Sequence, residues 1–186
     1  MASISQWVSG ARVRTLPLAI SPVVLGTAVA NSVDQLNLAI AFLALMVSLF
    51  LQLGVNFSND YSDGVRGTDE FRVGPARLTG SGTVEPPKVL RVAVVFFTLA
   101  AASGAAIIVV TQQWWLVIVG VLAILAAWYY TGGKDPYGYA GLGELSVFIF
   151  FGPVATVGTS FAQTLSFQGD SLIGGIGLGA FAAAVL

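Results

Sequence analysis

Apolar residues run through this chain in long unbroken blocks, and polar residues fall between them as short punctuation. Six apolar stretches occupy positions 16–30, 36–55, 89–110, 114–130, 145–161 and 172–186. Three of the breaks are brief, at 31–35, 111–113 and 163–171, and two connections, 56–88 and 131–144, are longer and charged. Blocks of this length, without strict apolar–polar alternation, predict helices that span a membrane and argue against a transmembrane barrel. The expected fold class is an all-α polytopic bundle with six spans.

The charges support that count. All eight Lys and Arg residues fall on one side of a six-span arrangement. Arg12 and Arg14 precede the first span. Arg66, Arg72, Arg77, Lys88 and Arg91 lie at or beside the second connection, and Lys134 lies in the fourth. The opposite connections hold Asp34 and Asp170. Positively charged loops stay on the cytoplasmic side, so the N-terminus and both long connections are expected there. With 9% charged and 56% hydrophobic residues, there is too little charge to coat a water-soluble globule. Soluble enzymes, disordered tails and nucleic-acid binders are thereby excluded. The chain has neither Cys nor His, which removes thiolate, Cys-metal and His-based chemistry. Catalysis is left to carboxylates, Lys, Arg, Tyr, amides, hydroxyls or an oxygen-held metal.

Two arginines, an apolar run and Ala28-Val29-Ala30 imitate a cleavable signal peptide. Pro17 and Pro22 inside the run favour a retained helix. Gly175 and Gly179 form a small-xxx-small pair, read as close helix packing. With no repeat or linker, residues 1–186 read as one transmembrane domain. The last apolar run is still open at Leu186, and the expectation is that the chain is the N-terminal part of a longer bundle.

The informative polar stretch is Asn56-Phe57-Ser58-Asn59-Asp60-Tyr61-Ser62-Asp63-Gly64-Val65-Arg66-Gly67-Thr68-Asp69. Asn56, Asn59, Asp60 and Asp63 are three and four residues apart and share a face if the second span continues as helix. Gly64 and Gly67 are expected to bend the chain and return Asp69 toward that face. Crowded carboxylates repel, and a hard cation such as Mg²⁺ relieves the repulsion with oxygen ligands while leaving room for a phosphate partner. Arg66, Arg72 and Arg77 follow, the last in the turn-rich Gly74-Pro75-Ala76-Arg77-Leu78-Thr79-Gly80. Guanidinium groups bind phosphate oxygens bidentately, so acids beside arginines suit a diphosphate. In the second charged connection Lys134 is another phosphate candidate and Tyr130 is placed to face the same pocket. An interfacial aromatic belt accounts for most of the other tyrosines.

Asn59-Asp60-Tyr61-Ser62-Asp63 followed by Gly67 and Asp69 resembles the first aspartate-rich motif of the UbiA-type intramembrane prenyltransferases. The wide spacing to Asp69, together with Arg72-Val73-Gly74-Pro75-Ala76-Arg77-Leu78, Tyr130-Thr131-Gly132-Gly133, Gly141-Leu142-Gly143-Glu144 and Arg14-Thr15-Leu16-Pro17, is similar to the naphthoate branch, the 1,4-dihydroxy-2-naphthoate polyprenyltransferases of menaquinone synthesis. The resemblance implies a nine-span helical bundle in the cytoplasmic membrane, with the active site facing the cytoplasm. It implies Mg²⁺ as cofactor, and polyprenyl diphosphate and an aromatic acceptor as partners. Asp60, Asp63 and Asp69 would hold Mg²⁺, and Asn56, Asn59, Arg66, Arg77 and Lys134 would bind substrate. Asp63, Asp69, Arg77, Lys134 and Tyr130 would carry the chemistry, Tyr130 near the reacting carbon. The family's second aspartate-rich motif has no match up to Leu186, so the 186-residue chain is expected not to turn over alone. Two other readings are a CDP-alcohol phosphotransferase, whose Asp-Gly…Ala-Arg pattern is not reproduced here, and a non-enzymatic transporter fragment. The oligomeric state stays open.

Overall fold

The structure, a computed structural model, describes residues 2–68 and 77–185. All regular elements among them are helical. A short helix α1 (Ile4–Gly10) leads through a 3₁₀ turn (Val13–Thr15) into α2 (Leu16–Ser32). Then follow α3 (Leu38–Arg66), α4 (Pro86–Thr111), α5 (Leu116–Tyr129), α6 (Gly143–Ile149), α7 (Ala155–Thr164) and α8 (Gly169–Val185). A π-helical turn (Phe150–Val154) containing Pro153 joins α6 to α7. Pro153 has no N–H to donate to the preceding turn, and the widened turn accommodates it.

Local chemistry sets the ends. Ser3 and Gln6 form a reciprocal capping box on α1. The Asn37 side chain accepts the N–H groups of Ala39 and Ile40, both at 3.1 Å, and opens α3. Gly67, in the left-handed region at φ 74°, closes α3, a position where glycine bears no Cβ clash.

Among the described residues each of the six expected spans is mainly helical. Four stretches, Ile4–Ser32, Leu38–Arg66, Pro86–Thr111 and Gly143–Thr164, are long and apolar enough to cross a membrane. The remaining two, α5 and α8, are shorter, at 14 and 17 residues. At 1.5 Å rise per residue, 14 residues reach about 21 Å, less than the ~30 Å hydrocarbon core. The short helix α1 was not foreseen, because seven residues before the first arginines show no sustained apolar run.

The chain alternates direction as the charges required. At one end, the Asn37 backbone donates to Gln163 at 3.1 Å, joining the start of α3 to the end of α7. At the other end, Asn56 donates to the carbonyl of Ala11 at 2.8 Å. Arg66 there donates to the carbonyls of Thr131 and Gly133. The basic N-terminal elbow and both long connections therefore share one end of the bundle.

Two apolar clusters hold the helices. Phe57, Leu78, Val84, Val89, Ala93 and Phe97 pack α3 on α4 near the charged end, with Trp7 of α1 against Phe57. Val23, Ile40, Ala44, Ile107 and Ala162 pack α2, α3, α4 and α7 near the other. Val24, Phe42, Ile118, Ile173 and Phe181 are exposed, as expected of side chains that face lipid. The small-residue reading of α8 is correct. A Cβ on Gly152 would lie 2.4 Å from the carbonyl oxygen of Gly175 and 2.6 Å from the Cα of Gly179. Backbones meet there because side chains are missing.

Candidate active site

The last turns of α3 carry the buried polar residues Gln52, Asn56, Asn59, Asp60 and Asp63. The helix runs unbroken through them, so the expected shared face forms. One expectation about this stretch is corrected. Gly64 does not bend the chain; it lies inside α3, and the chain turns at Gly67. Gly64 serves for close approach instead. A Cβ there would fall 2.4 Å from Thr79 Cγ2 and 2.9 Å from the Gly80 nitrogen, so its absence lets the 77–84 loop lie directly on the helix.

These buried polar side chains tie α3 to three segments: the α1–α2 elbow, the loop at 77–79 and the connection after α5. Asn56 Nδ2 donates to the Ala11 carbonyl at 2.8 Å and to Thr15 Oγ1 at 3.1 Å, and Gln52 Nε2 donates to Thr15 Oγ1 at 2.8 Å. Together they fix the elbow between α1 and α2. Asp60 accepts the backbone N–H groups of Leu78 at 2.9 Å and Thr79 at 2.8 Å, one on each oxygen. Asn59 Oδ1 accepts from Thr131 Oγ1 at 2.7 Å. Burial of such groups is costly unless each is partnered; these partners satisfy most of them, while Gln52 Oε1 is buried without a hydrogen-bond partner among the described residues.

Asp63 has the charged partnerships. Arg77 Nη1 pairs with its Oδ2 and also donates to the Asn59 carbonyl at 3.1 Å. Both side chains of the ion pair are about nine-tenths buried. The Tyr139 hydroxyl donates to the other oxygen, Oδ1. Arg66 lies 5.7 Å from the centroid of the Tyr139 ring while its guanidinium grips the Thr131 and Gly133 carbonyls. The Tyr139 phenol is pushed above its ordinary value, first by burial and then by its bond to the Asp63 carboxylate. It therefore stays a proton donor at neutral pH.

The structure thus brings Asn56, Asn59, Asp60, Asp63, Arg66 and Arg77 to one helix end. Tyr130, just after α5, packs edge-on against Tyr137 with centroids 5.7 Å apart. Lys134 is exposed on the same connection, beside the Gly133 carbonyl that Arg66 holds. Asp69 and Arg72 lie outside the described residues. Sequence reasoning missed Thr131 and Tyr139. Tyr139 was absorbed into an aromatic belt, and nothing local marks a hydroxyl that bonds a carboxylate 76 positions away.

The donors suit a hard cation in kind, being carboxylate, amide and hydroxyl oxygens without competing imidazole or thiolate. Among the described residues no group of three or more acidic side chains is placed to hold a metal. Mg²⁺, however, is commonly held by one or two carboxylates plus substrate phosphates; of the two buried here, Asp60 spends both oxygens on the Leu78 and Thr79 N–H groups, which leaves Asp63 the better placed. Asp63 already neutralises a cation, the Arg77 guanidinium, at that position.

The model of the UbiA prenyltransferase family matches residues 19–186. The chain is 50% identical over 186 residues to a 1,4-dihydroxy-2-naphthoate octaprenyltransferase of Mycobacterium tuberculosis, covering all of this chain and 63% of that protein. It is 47% identical to the protein of that name in Mycobacterium leprae, with the same coverage. It is 35% identical to the one in Haemophilus influenzae, over 98% of this chain and 62% of that protein. The chain therefore spans less than two thirds of the length of these relatives.

Proposed function

Since this chain belongs to the UbiA prenyltransferase family, we propose that it serves transfer of a polyprenyl chain from its diphosphate to 1,4-dihydroxy-2-naphthoate. CO₂ and diphosphate leave, and the direct product is the quinol form of demethylmenaquinone, an intermediate of menaquinone synthesis. The relatives that carry this activity in their names support the reading. In this reading it is a multi-pass protein of the cytoplasmic membrane, with residues 1–186 in one transmembrane domain and the charged end of the bundle facing the cytoplasm. The positive charge at that end supports this orientation.

The observation that carries the reading is the buried Asp63–Arg77 pair at the end of α3. A carboxylate and a guanidinium that neutralise each other can each exchange partners when Mg²⁺ and a diphosphate arrive together. Asp63, with Asp69, would hold Mg²⁺. Asp60 adds its charge beside Asp63; it has two backbone hydrogen bonds and, among the described residues, no ion-pair partner. Mg²⁺ when bound supplies charge neutralisation to the diphosphate leaving group.

Arg77 and Lys134 grip the diphosphate oxygens, and Arg66 adds positive charge at the loop edge. Their stabilisation grows as negative charge develops on the leaving group, so it acts on the transition state. Asn56 and Asn59 keep the elbow and the 131–141 loop in register around the site. Tyr130 lines the pocket where the allylic carbon lies, and its ring faces the developing positive charge. The apolar helices keep water from that carbon. The carboxylate-bearing ring carbon of the acceptor then attacks it as the bond to diphosphate breaks, and that carboxylate leaves the ring carbon as CO₂, its bonding pair restoring the aromatic ring.

The test is product analysis with the full-length protein in liposomes. Labelled polyprenyl diphosphate with the naphthoate and Mg²⁺ should give a decarboxylated prenyl product. Turnover of a CDP-alcohol, or solute flux without prenyl transfer, would overturn the reading.

A further inference from the structure

We propose that Tyr139 is a positioning residue for Asp63: its hydroxyl holds Oδ1 of that carboxylate, leaving Oδ2 as the oxygen that exchanges Arg77 for the metal–diphosphate. This inference rests on the Mg²⁺ prenyltransferase reading above and adds a residue and an atom-level role to it.

The geometry is one-sided. Tyr139 bonds Oδ1 and Arg77 bonds Oδ2. Tyr139 is not a loose surface residue, although its ring is half exposed. It sits in a 3₁₀ turn (Tyr137–Ala140). The Tyr137 hydroxyl bonds the Ala126 carbonyl at 2.7 Å and Ser146 Oγ at 2.8 Å, and Gly138 N–H bonds the Tyr130 carbonyl at 3.0 Å. The turn is thus braced on α5 and α6. Arg66 lies beside the ring and holds the connection leading to it. A phenol has one proton to donate and no charge to compete with a cation. It fixes the carboxylate's rotation without neutralising it. Arg77, by contrast, stands where a cation is wanted and must move to reach phosphate. Outer groups of this kind orient metal ligands, and their loss typically costs about 10- to 100-fold in metal affinity.

The test titrates Mn²⁺ by EPR into the full-length protein in detergent, without substrate, and measures Mg²⁺-dependent turnover in parallel. The variants are Tyr139→Phe, Tyr137→Phe and Asp63→Ala. Tyr137→Phe removes a hydroxyl that braces the same turn without touching Asp63. The expected result is Mn²⁺ affinity about 10- to 100-fold weaker in Tyr139→Phe, near wild type in Tyr137→Phe, and lost in Asp63→Ala. Wild-type affinity in Tyr139→Phe with loss in Asp63→Ala overturns the role of Tyr139 and leaves the functional reading standing. Equal weakening in both tyrosine variants also overturns it, since loop bracing alone would then suffice. Wild-type affinity in Asp63→Ala overturns the metal reading beneath it.

Discussion

Asp60 reaches from α3 across 19 positions to accept the backbone N–H of Thr79 at 2.8 Å, and its second oxygen accepts that of Leu78 at 2.9 Å. One carboxylate thus anchors the loop that carries Arg77. Asp60→Ala strands two buried amides, each costing about 1–3 kcal/mol. The expected outcome is a loss of about 3 kcal/mol, with Asp60→Asn intermediate because one acceptor remains. Thermal unfolding in detergent, followed by circular dichroism, measures it; a wild-type melting temperature in Asp60→Ala would refute the anchor.

Gly64→Ala forces the same loop off the helix. The new methyl would meet the Thr79 side chain at 2.4 Å. Overpacking of this kind costs about 1–3 kcal/mol, and displacement of Arg77 should lower turnover as well. Gly120→Ala is the matched control, since nothing lies within 4 Å of its Cβ position in α5. That change should be neutral or stabilise by up to about 1 kcal/mol.

The crossing of α8 over the π-turn depends on Gly152, Gly175 and Gly179. A Cβ on Gly179 would sit 2.4 Å from the Phe148 carbonyl. Backbone cannot retreat as a side chain can, so Gly179→Leu should detach α8, whereas Gly177→Leu, with nothing within 4 Å, should be tolerated. Proteolytic protection of the α7–α8 connection in liposomes distinguishes the two.

Alkaline pH should act through Tyr139. Its phenol titrates above the ordinary value near 10.0 because of burial and Asp63. A group whose folded pKa is raised contributes stability that is full below its unfolded pKa and is lost as pH rises through the folded one. Phenolate absorbance of the wild type minus that of Tyr139→Phe should therefore show a late-titrating tyrosine above about pH 10.

Long apolar blocks and one-sided basic residues made the helices and their alternation legible, because lipid leaves the backbone few alternatives to helix. The polar face of α3 was legible for a similar reason. Residues 56, 59, 60 and 63 are local neighbours by helical geometry alone. Their partners were not legible. Ala11, Thr131 and Tyr139 reach α3 only after the helices have packed, and no local pattern encodes a contact between positions 59 and 131. Gly64 was misread for a related reason. Glycine after a polar run signals a turn, yet here it yields space to a loop that arrives 15 residues later. The π-turn at Phe150–Val154 was hidden inside a continuous apolar run.

The most direct test is steady-state prenyl transfer by full-length Asp63→Ala and Arg77→Ala proteins in liposomes with Mg²⁺, the naphthoate and a polyprenyl diphosphate. If the pair is the catalytic head of the site, each variant should lose about 100-fold or more in kcat/KM, in line with removal of a group that stabilises transition-state charge. Wild-type melting behaviour in either variant would assign that loss to chemistry. Turnover within about twofold of wild type in both would contradict the account.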